Sequence, residues 1–446
     1  MLLRLVTLAA LFGLLFGFDE GVIAGAMHLI ALSFPVTPAG QGFMAAAVPL
    51  GAVAGAIVAA LWSDRFGRRL VLLLCAGLFG IGAIASALST SIGMLALARL
   101  LLGLGIGASA LAAPQFLAEL APPRIRGALV SAFQLMITVG ILSSYISNLL
   151  LEPLGDWRLM LGLGVVPAII AFLGIVRAPE SPRWLVLKGR EHEATEILQS
   201  LEPGRDAGYL KATVADIRGS LGQHDDSVGW RSLLGPVVRP LTLFAVTLFV
   251  LQQLSGINAV IYYAPSIMAE AGFDGTRSQL FATVGIGIVN VAMTVVAMLT
   301  VDRFGRRPLL ILGFVGATVS LAMIAIAVQM TGEWAAMTAF AALLLYISFF
   351  AVSLGPLPWL YMSELFPVRL RSRGMALASV ANWSSNFMVV FLFPVVVEFA
   401  GMPATFAMFA VSCAFGLAFA IRWAPETKGR SLEQIGGDLA SARVGT

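Results

Sequence analysis

Asp64-Arg65-Phe66-Gly67-Arg68-Arg69 recurs without change, half a chain length later, as Asp302-Arg303-Phe304-Gly305-Arg306-Arg307. Each copy joins two long apolar stretches. A charged hexapeptide at matching places in two halves implies an internal duplication. Where the flanking stretches can each cross a bilayer, that duplication is the pattern of a two-fold pseudosymmetric transporter.

Working outward from the hexapeptides, composition requires the membrane. Hydrophobic residues make up 59% of the 446 and charged residues 12%. A soluble domain carries about 25% charged residues, so this chain cannot coat itself in water. Apolar runs of roughly 20 residues, enough to span hydrocarbon, fall near 3–30, 43–62, 70–90, 93–117, 127–150, 159–177, 240–268, 278–301, 308–329, 335–362, 374–397 and 404–423. The expected fold is an all-α membrane protein of twelve transmembrane helices in two pseudosymmetric six-helix bundles. The expected organisation is a first bundle over 1–177, a polar linker over 178–239, a second bundle over 240–423 and a tail over 424–446. Within the linker, Glu191–Leu201 and Tyr209–Leu221 read as short amphipathic helices separated by Pro203-Gly204.

Basic residues set the orientation. With the N-terminus inside, both hexapeptides, Arg124, Arg126, the linker cluster and Arg369 to Arg373 lie on one face, while the other holds only Arg158 and Arg277. This is the positive-inside bias. It places both termini in the cytoplasm and reads the pI as topology rather than nucleic-acid binding. Asp19 and Glu20 interrupt the first apolar run, which makes it a membrane helix rather than a signal peptide. The short loops point to a bacterial inner (plasma) membrane. Cys75 and Cys413 fall inside spans, and three scattered histidines offer no metal-ligand spacing. No nucleophile–base pair, metal cluster or phosphate loop argues for an enzyme.

Three ionisable residues interrupt the spans: Asp19, Glu20 and Arg99. Such residues are costly in hydrocarbon and face a partner or a wet cavity. At about 1.5 Å per residue, Asp19 lies roughly 24 Å in from the inner side and Arg99 roughly 9 Å below the outer surface of a core about 30 Å thick. The depths agree, so the two can pair. A rearrangement separating them favours protonation of the carboxylate; the alternative is a static pair that orients two helices. Glu20 is turned about 100° from Asp19 and cannot face Arg99 equally. It reads as an auxiliary proton site or as a hydrogen-bonded residue against span five.

Span seven carries Gln252, Gln253 and Asn258 in an apolar helix. Amides donate and accept, as sugar hydroxyls do, or they bond helix to helix. One straight helix cannot aim all three the same way, and a break near Gly256 would re-aim them. In span ten, Gly355-Pro356-Leu357-Pro358 precedes Trp359 and predicts a hinge.

The landmarks repeat in order. Ala118-Glu119-Leu120-Ala121-Pro122 with Arg126 matches Ser363-Glu364-Leu365-Phe366-Pro367 with Arg371, and Pro179-Glu180-Ser181-Pro182-Arg183 matches Pro425-Glu426-Thr427-Lys428-Gly429. With the span-seven Gln252-Gln253-Leu254-Ser255-Gly256-Ile257-Asn258 and its tyrosine pair, this order resembles the sugar porter family of the major facilitator superfamily over nearly the whole chain. Ala60, where a glycine usually opens the first hexapeptide motif, and Ser372 depart from the pattern.

The resemblance implies transport of a monosaccharide across the lipid bilayer, by proton symport or by facilitated diffusion, with the proton as coupling ion and no other cofactor. It implies proton coupling at Asp19 and Arg99. It implies sugar binding by Gln134, Gln252, Gln253, Asn258, Asn290, Trp359 and Asn382, with Trp383 beside them and Tyr262 and Tyr263 closing the outer side. A cytoplasmic gate of Asp64, Arg68, Glu119, Arg126, Glu180, Arg183, Asp302, Arg306, Glu364 and Arg371 would bridge the halves in the outward-facing state. Ile141, where some pentose-type relatives carry glutamine, favours a hexose. The short tail argues against a sugar sensor, and a monomer is the expected state.

Overall fold

The computed structural model describes residues 2–428 apart from 121–125, 202, 205, 223–229, 237, 331–332 and 367–369. Among these there is no strand. Among the described residues eleven helices are long and apolar enough to cross a membrane. The last, Arg371–Trp423, is too long for one crossing and turns at Gly401, where φ is +81°. It therefore supplies spans eleven and twelve, and the total is twelve.

Spans one to five are Leu2–Ser33, Pro38–Phe66, Arg68–Ala87, Ile92–Leu120 and Arg126–Leu151. Span six is built from Trp157–Gly162 and Val165–Val176. Span seven comprises Arg239–Gln253 and Ile257–Glu270, followed by Thr276–Phe304 and Arg306–Ala327 as spans eight and nine. Span ten begins as Glu333–Phe349, widens into a π turn over Phe350–Leu354 and resumes as Leu357–Leu365. The linker helices are Glu191–Leu201 and Ala207–Gly222, close to the expected pair.

Small residues hold the bundles together. Lipid offers no hydrophobic drive between helices, so close backbone approach and packing must supply it. A Cβ on Gly17 would sit 1.8 Å from the Ile137 carbonyl oxygen of span five, and one on Gly103 would sit 2.1 Å from that of Val48 in span two. Spans one and five, and two and four, therefore pack nearly backbone to backbone.

Among the described residues, direct contacts between the bundles lie at mid-depth or towards the face opposite the hexapeptides, hereafter the opposite face. Tyr145 of span five donates to the Ile261 carbonyl of span seven at 2.9 Å. Phe16 of span one lies 5.3 Å from Trp383 of span eleven. Gly42, near the start of span two, leaves no room for a Cβ against the Phe391 carbonyl oxygen, 2.2 Å away. The bundles thus meet directly at mid-depth and at the opposite face.

Candidate functional site

Asp19 and Arg99 meet as their depths predicted. Asp19 Oδ1 lies 3.5 Å from Arg99 Nη1, and both side chains are almost completely buried. The pair is loose. Asp19 Oδ2 and both Arg99 Nη atoms lack hydrogen-bond partners, and the guanidinium is anchored only by Nε donating to the Met44 carbonyl at 3.2 Å. A buried pair without satisfied hydrogen bonds is poorly compensated for its desolvation, so little opposes its separation. Glu20 is also buried. It makes no ion pair with Arg99, which leaves the auxiliary role open.

Span seven breaks where expected. Gly256 takes φ +83°, and a Cβ there would meet the Phe409 ring at 2.4 Å. The turn re-aims the amides in two directions. Gln253 Nε2 donates to Asn382 Oδ1 at 2.7 Å, and Gln253 Oε1 accepts from Asn258 Nδ2 at 2.9 Å. Gln252 instead donates to the Leu354 carbonyl at 2.6 Å, in the π turn of span ten, and its Oε1 is buried without a partner. The span-seven break is therefore bonded to the span-ten hinge. Trp359, half-buried beyond that hinge, packs edge-on against Phe249 at 5.0 Å.

The other expected sugar residues stand outside this chain of amides. Asn290 is buried in span eight and Gln134 half-buried in span five, and neither side chain bonds to the cluster. Trp383 is buried with its indole N–H unpartnered. Tyr263 donates to the Val390 carbonyl at 3.3 Å and stacks on Phe393, whereas the Tyr262 hydroxyl is buried and unpartnered. Asn386, one turn beyond Asn382, was not singled out by sequence. It too is buried with an unpartnered Oδ1, and only the i, i+4 spacing from Asn382 could have flagged it.

On the hexapeptide face the repeated motifs converge into two matching knots. In the first, Arg68 pairs with Asp64 and Glu119, each at 3.0 Å. Ser181 donates to Glu119, and Glu180 accepts the backbone N–H groups of Arg68 and Arg69 at 3.1 and 3.2 Å. In the second, Arg306 pairs with Asp302 at 3.1 Å and Glu364 at 2.8 Å. Thr427 donates to Glu364, and Glu426 accepts the N–H groups of Arg306 and Arg307 at 3.0 and 3.1 Å. Both carboxylates cap a helix start, where orphan donors and the dipole favour negative charge.

Gly67 and Gly305 take φ of +95° and +87°, and a Cβ on either would strike Glu180 or Glu426. The hexapeptide glycine therefore makes both the turn and the space. These ion pairs each join residues of one bundle, and among the described residues no ion pair bridges the halves. Arg183 makes no ion pair among the described residues, and the side chains of Arg126 and Arg371 lie outside them. Glu426 belongs in this set and was recognised from sequence only as part of a repeat.

Comparison with known proteins decides the family. Residues 5–439 match the model described as "Sugar (and other) transporter". The chain belongs to this family. Among curated sugar transporters, it is 39% identical over 433 residues to a D-xylose transporter of Levilactobacillus brevis, covering 96% of this chain and 94% of that one. It is 38% identical over 440 residues to the galactose-proton symporter of Escherichia coli (strain K12), covering 98% and 94%. The fold matches a partially occluded inward-open structure of the E. coli xylose transporter XylE, with TM-score 0.85 and 29% identity over 97% of this chain and 99% of that one. The protein is thus an integral multi-pass transporter of the sugar porter family rather than an enzyme.

Proposed function

We propose that the protein carries a monosaccharide, in our reading a hexose, together with a proton across the membrane by alternating access. The observation that carries this is a division of labour between the bundles. One buries an ion pair, Asp19 with Arg99, and the other buries an amide chain, Gln253, Asn258 and Asn382, at a broken helix. Amides at a helix break suit a neutral polyhydroxylated ligand. A loose buried carboxylate–guanidinium pair suits a proton that binds when the two part.

In this reading the basic face is cytoplasmic, both termini lie there, and the membrane is a bacterial inner membrane. Contact between the bundles at the opposite face then supports an inward-facing conformation, as do ion pairs that, among the described residues, stay within each bundle. Gln134, Asn290, Trp359 and Trp383 line the path and engage sugar from spans five, eight, ten and eleven. Ile141, buried and without a polar side chain, supports the hexose. A monomer suffices, since each element lies within one chain.

The test is uptake of labelled glucose into proteoliposomes, with a panel of hexoses and pentoses as competitors and external pH recorded. Symport requires accumulation above equilibrium, alkalinisation outside and stronger competition by hexoses. Uptake that stops at equilibrium without a pH change identifies facilitated diffusion instead.

A further inference from the structure

Glu20 is a charge that the coupling pair does not use. One residue along a helix turns by about 100°, so Glu20 departs from the direction in which Asp19 meets Arg99. Its neighbours Gly17 and Gly21 abut Ile137, Ser144 and the Tyr145 ring of span five, which places Glu20 near that span, and its charge also reaches the hydroxyls of Tyr145 and Tyr262.

The groups around it are few. Among the described residues they are Asp19 on its own helix, Tyr145 on span five and Tyr262 on span seven, with Arg99 on span four engaged by Asp19. The Val165–Val176 segment of span six has no titratable residue. Arg158 is committed elsewhere, donating to the Ser89 carbonyl and lying over the Trp157 ring.

The charges in this space do not balance. Among the described residues, Arg99 shares deep burial with only two other basic residues, Arg68 and Arg306, and both are held in the knots of the basic face. Two buried carboxylates therefore face one guanidinium. An uncompensated charge in such a place is strongly disfavoured, and a single proton removes it. The hydroxyls point to where that proton sits. Tyr145 spends its own on the Ile261 carbonyl, whereas Tyr262, fully buried, has a hydroxyl with no partner within the field of Glu20.

We propose that Glu20 is a second proton-carrying residue, holding one proton while the opposite face is closed and Asp19 is ionised against Arg99. On release the carboxyl O–H bond breaks, its electron pair stays on Glu20 and the proton leaves to water. The charged carboxylate then opposes resealing of the opposite face until it is protonated again. The proposal rests on the proton-coupled reading only in placing this proton within the transport cycle.

Sugar counterflow, which needs both faces to open and close but no net proton movement, isolates the effect. It is measured from about pH 6 to about pH 10 in the wild type, where Asp19 keeps Arg99 engaged, and in Glu20→Gln. Counterflow in the wild type should fall on the alkaline side by ~10-fold per unit beyond its midpoint, and Glu20→Gln should be flat. Glu20→Asp should keep an alkaline limb with a shifted midpoint. Sugar binding followed by tryptophan fluorescence in the wild type and Glu20→Gln reads the same limb without transport. An identical alkaline limb with and without Glu20 overturns the proposal. So does a wild-type requirement for sodium that Glu20→Gln removes, which would make the site one for a metal cation. If Asp19→Asn still accumulates sugar, the coupling role of Asp19 fails while the Glu20 comparison stands.

Discussion

The two knots on the basic face and the two centres inside the membrane come from the same duplication, yet have had opposite fates. The knots match almost group for group: Asp64, Arg68, Glu119, Ser181 and Glu180 in one, Asp302, Arg306, Glu364, Thr427 and Glu426 in the other. The centres share nothing but position, with Asp19 in span one and Asn258 in span seven. Parts that hold each bundle rigid are needed twice. Parts that recognise a ligand are needed once.

The contrast can be broken by mutation, and the largest effect should lie in the second centre. Gln253→Ala and Asn382→Ala each leave a buried amide unpaired, a loss of about 1–3 kcal/mol. Sugar affinity in counterflow should therefore drop by roughly 5- to 150-fold. Because the two side chains share a 2.7 Å bond, the double variant should lose less than the sum of the singles. Strict additivity would mean that the bond has no part in binding.

Next come the glycines. Alanine at Gly67 or Gly305 meets a positive-φ, extended backbone that essentially only glycine adopts, costing about 1–3 kcal/mol, and also collides with the capping glutamate. The Glu180 oxygen stands 2.2 Å from the added carbon and the Glu426 oxygen 2.6 Å. Thermal unfolding in detergent should show both variants destabilised, Gly67→Ala more so; the reverse order would unseat the matched-knot description.

Smaller still are the outermost acids. Asp64 and Asp302 are 60% and 81% exposed, and exposed pairs are worth about 0–1 kcal/mol. Asp64→Asn and Asp302→Asn should each lower stability by less than ~1 kcal/mol, while Glu119→Gln, at a carboxylate 11% exposed, should cost visibly more.

The smallest expected difference is electrostatic. Burial holds the Glu180 carboxyl above its ordinary value of 4.5, despite the N–H groups it accepts. Burial also acts on Glu426, but the N–H groups of Lys428, Arg306 and Arg307 with the Arg306 charge outweigh it and hold that carboxyl below 4.5. The Glu426 contribution is present above 4.5 and is lost as pH falls through its lower native value. Glu180 is the opposite case: its native state binds the proton more readily, so acidification towards 4.5 favours the first knot. Hydrogen exchange at Arg68–Arg69 and Arg306–Arg307 should therefore respond to acid in opposite senses. A parallel response would show that the two caps are equivalent.

Much of this was legible in the sequence because membranes constrain it so tightly. Apolar length fixed the spans, Gly256 and Gly355-Pro356 marked the two breaks, and depth along a helix was enough to pair Asp19 with Arg99. What escaped was what folding brings together from a distance. Glu180 reaches Arg68 across more than a hundred residues, and no local pattern says that it caps the next helix. Gln252 and Gln253 are neighbours in sequence, yet one serves the span-ten hinge and the other the amide chain, a split set by the turn at Gly256. The junction of spans eleven and twelve read as a loop, but the helical assignment runs through Gly401 with a kink, since one positive-φ glycine makes the turn without a connecting segment.

The central claim is that the proton is handled by the ion pair of the first bundle and the sugar chiefly by the amides of the second. Sugar-driven alkalinisation outside proteoliposomes, recorded with counterflow in the same preparation of Asp19→Asn, tests it most directly. The account predicts counterflow close to wild type with accumulation and alkalinisation both lost. Undiminished accumulation with alkalinisation in Asp19→Asn would contradict it.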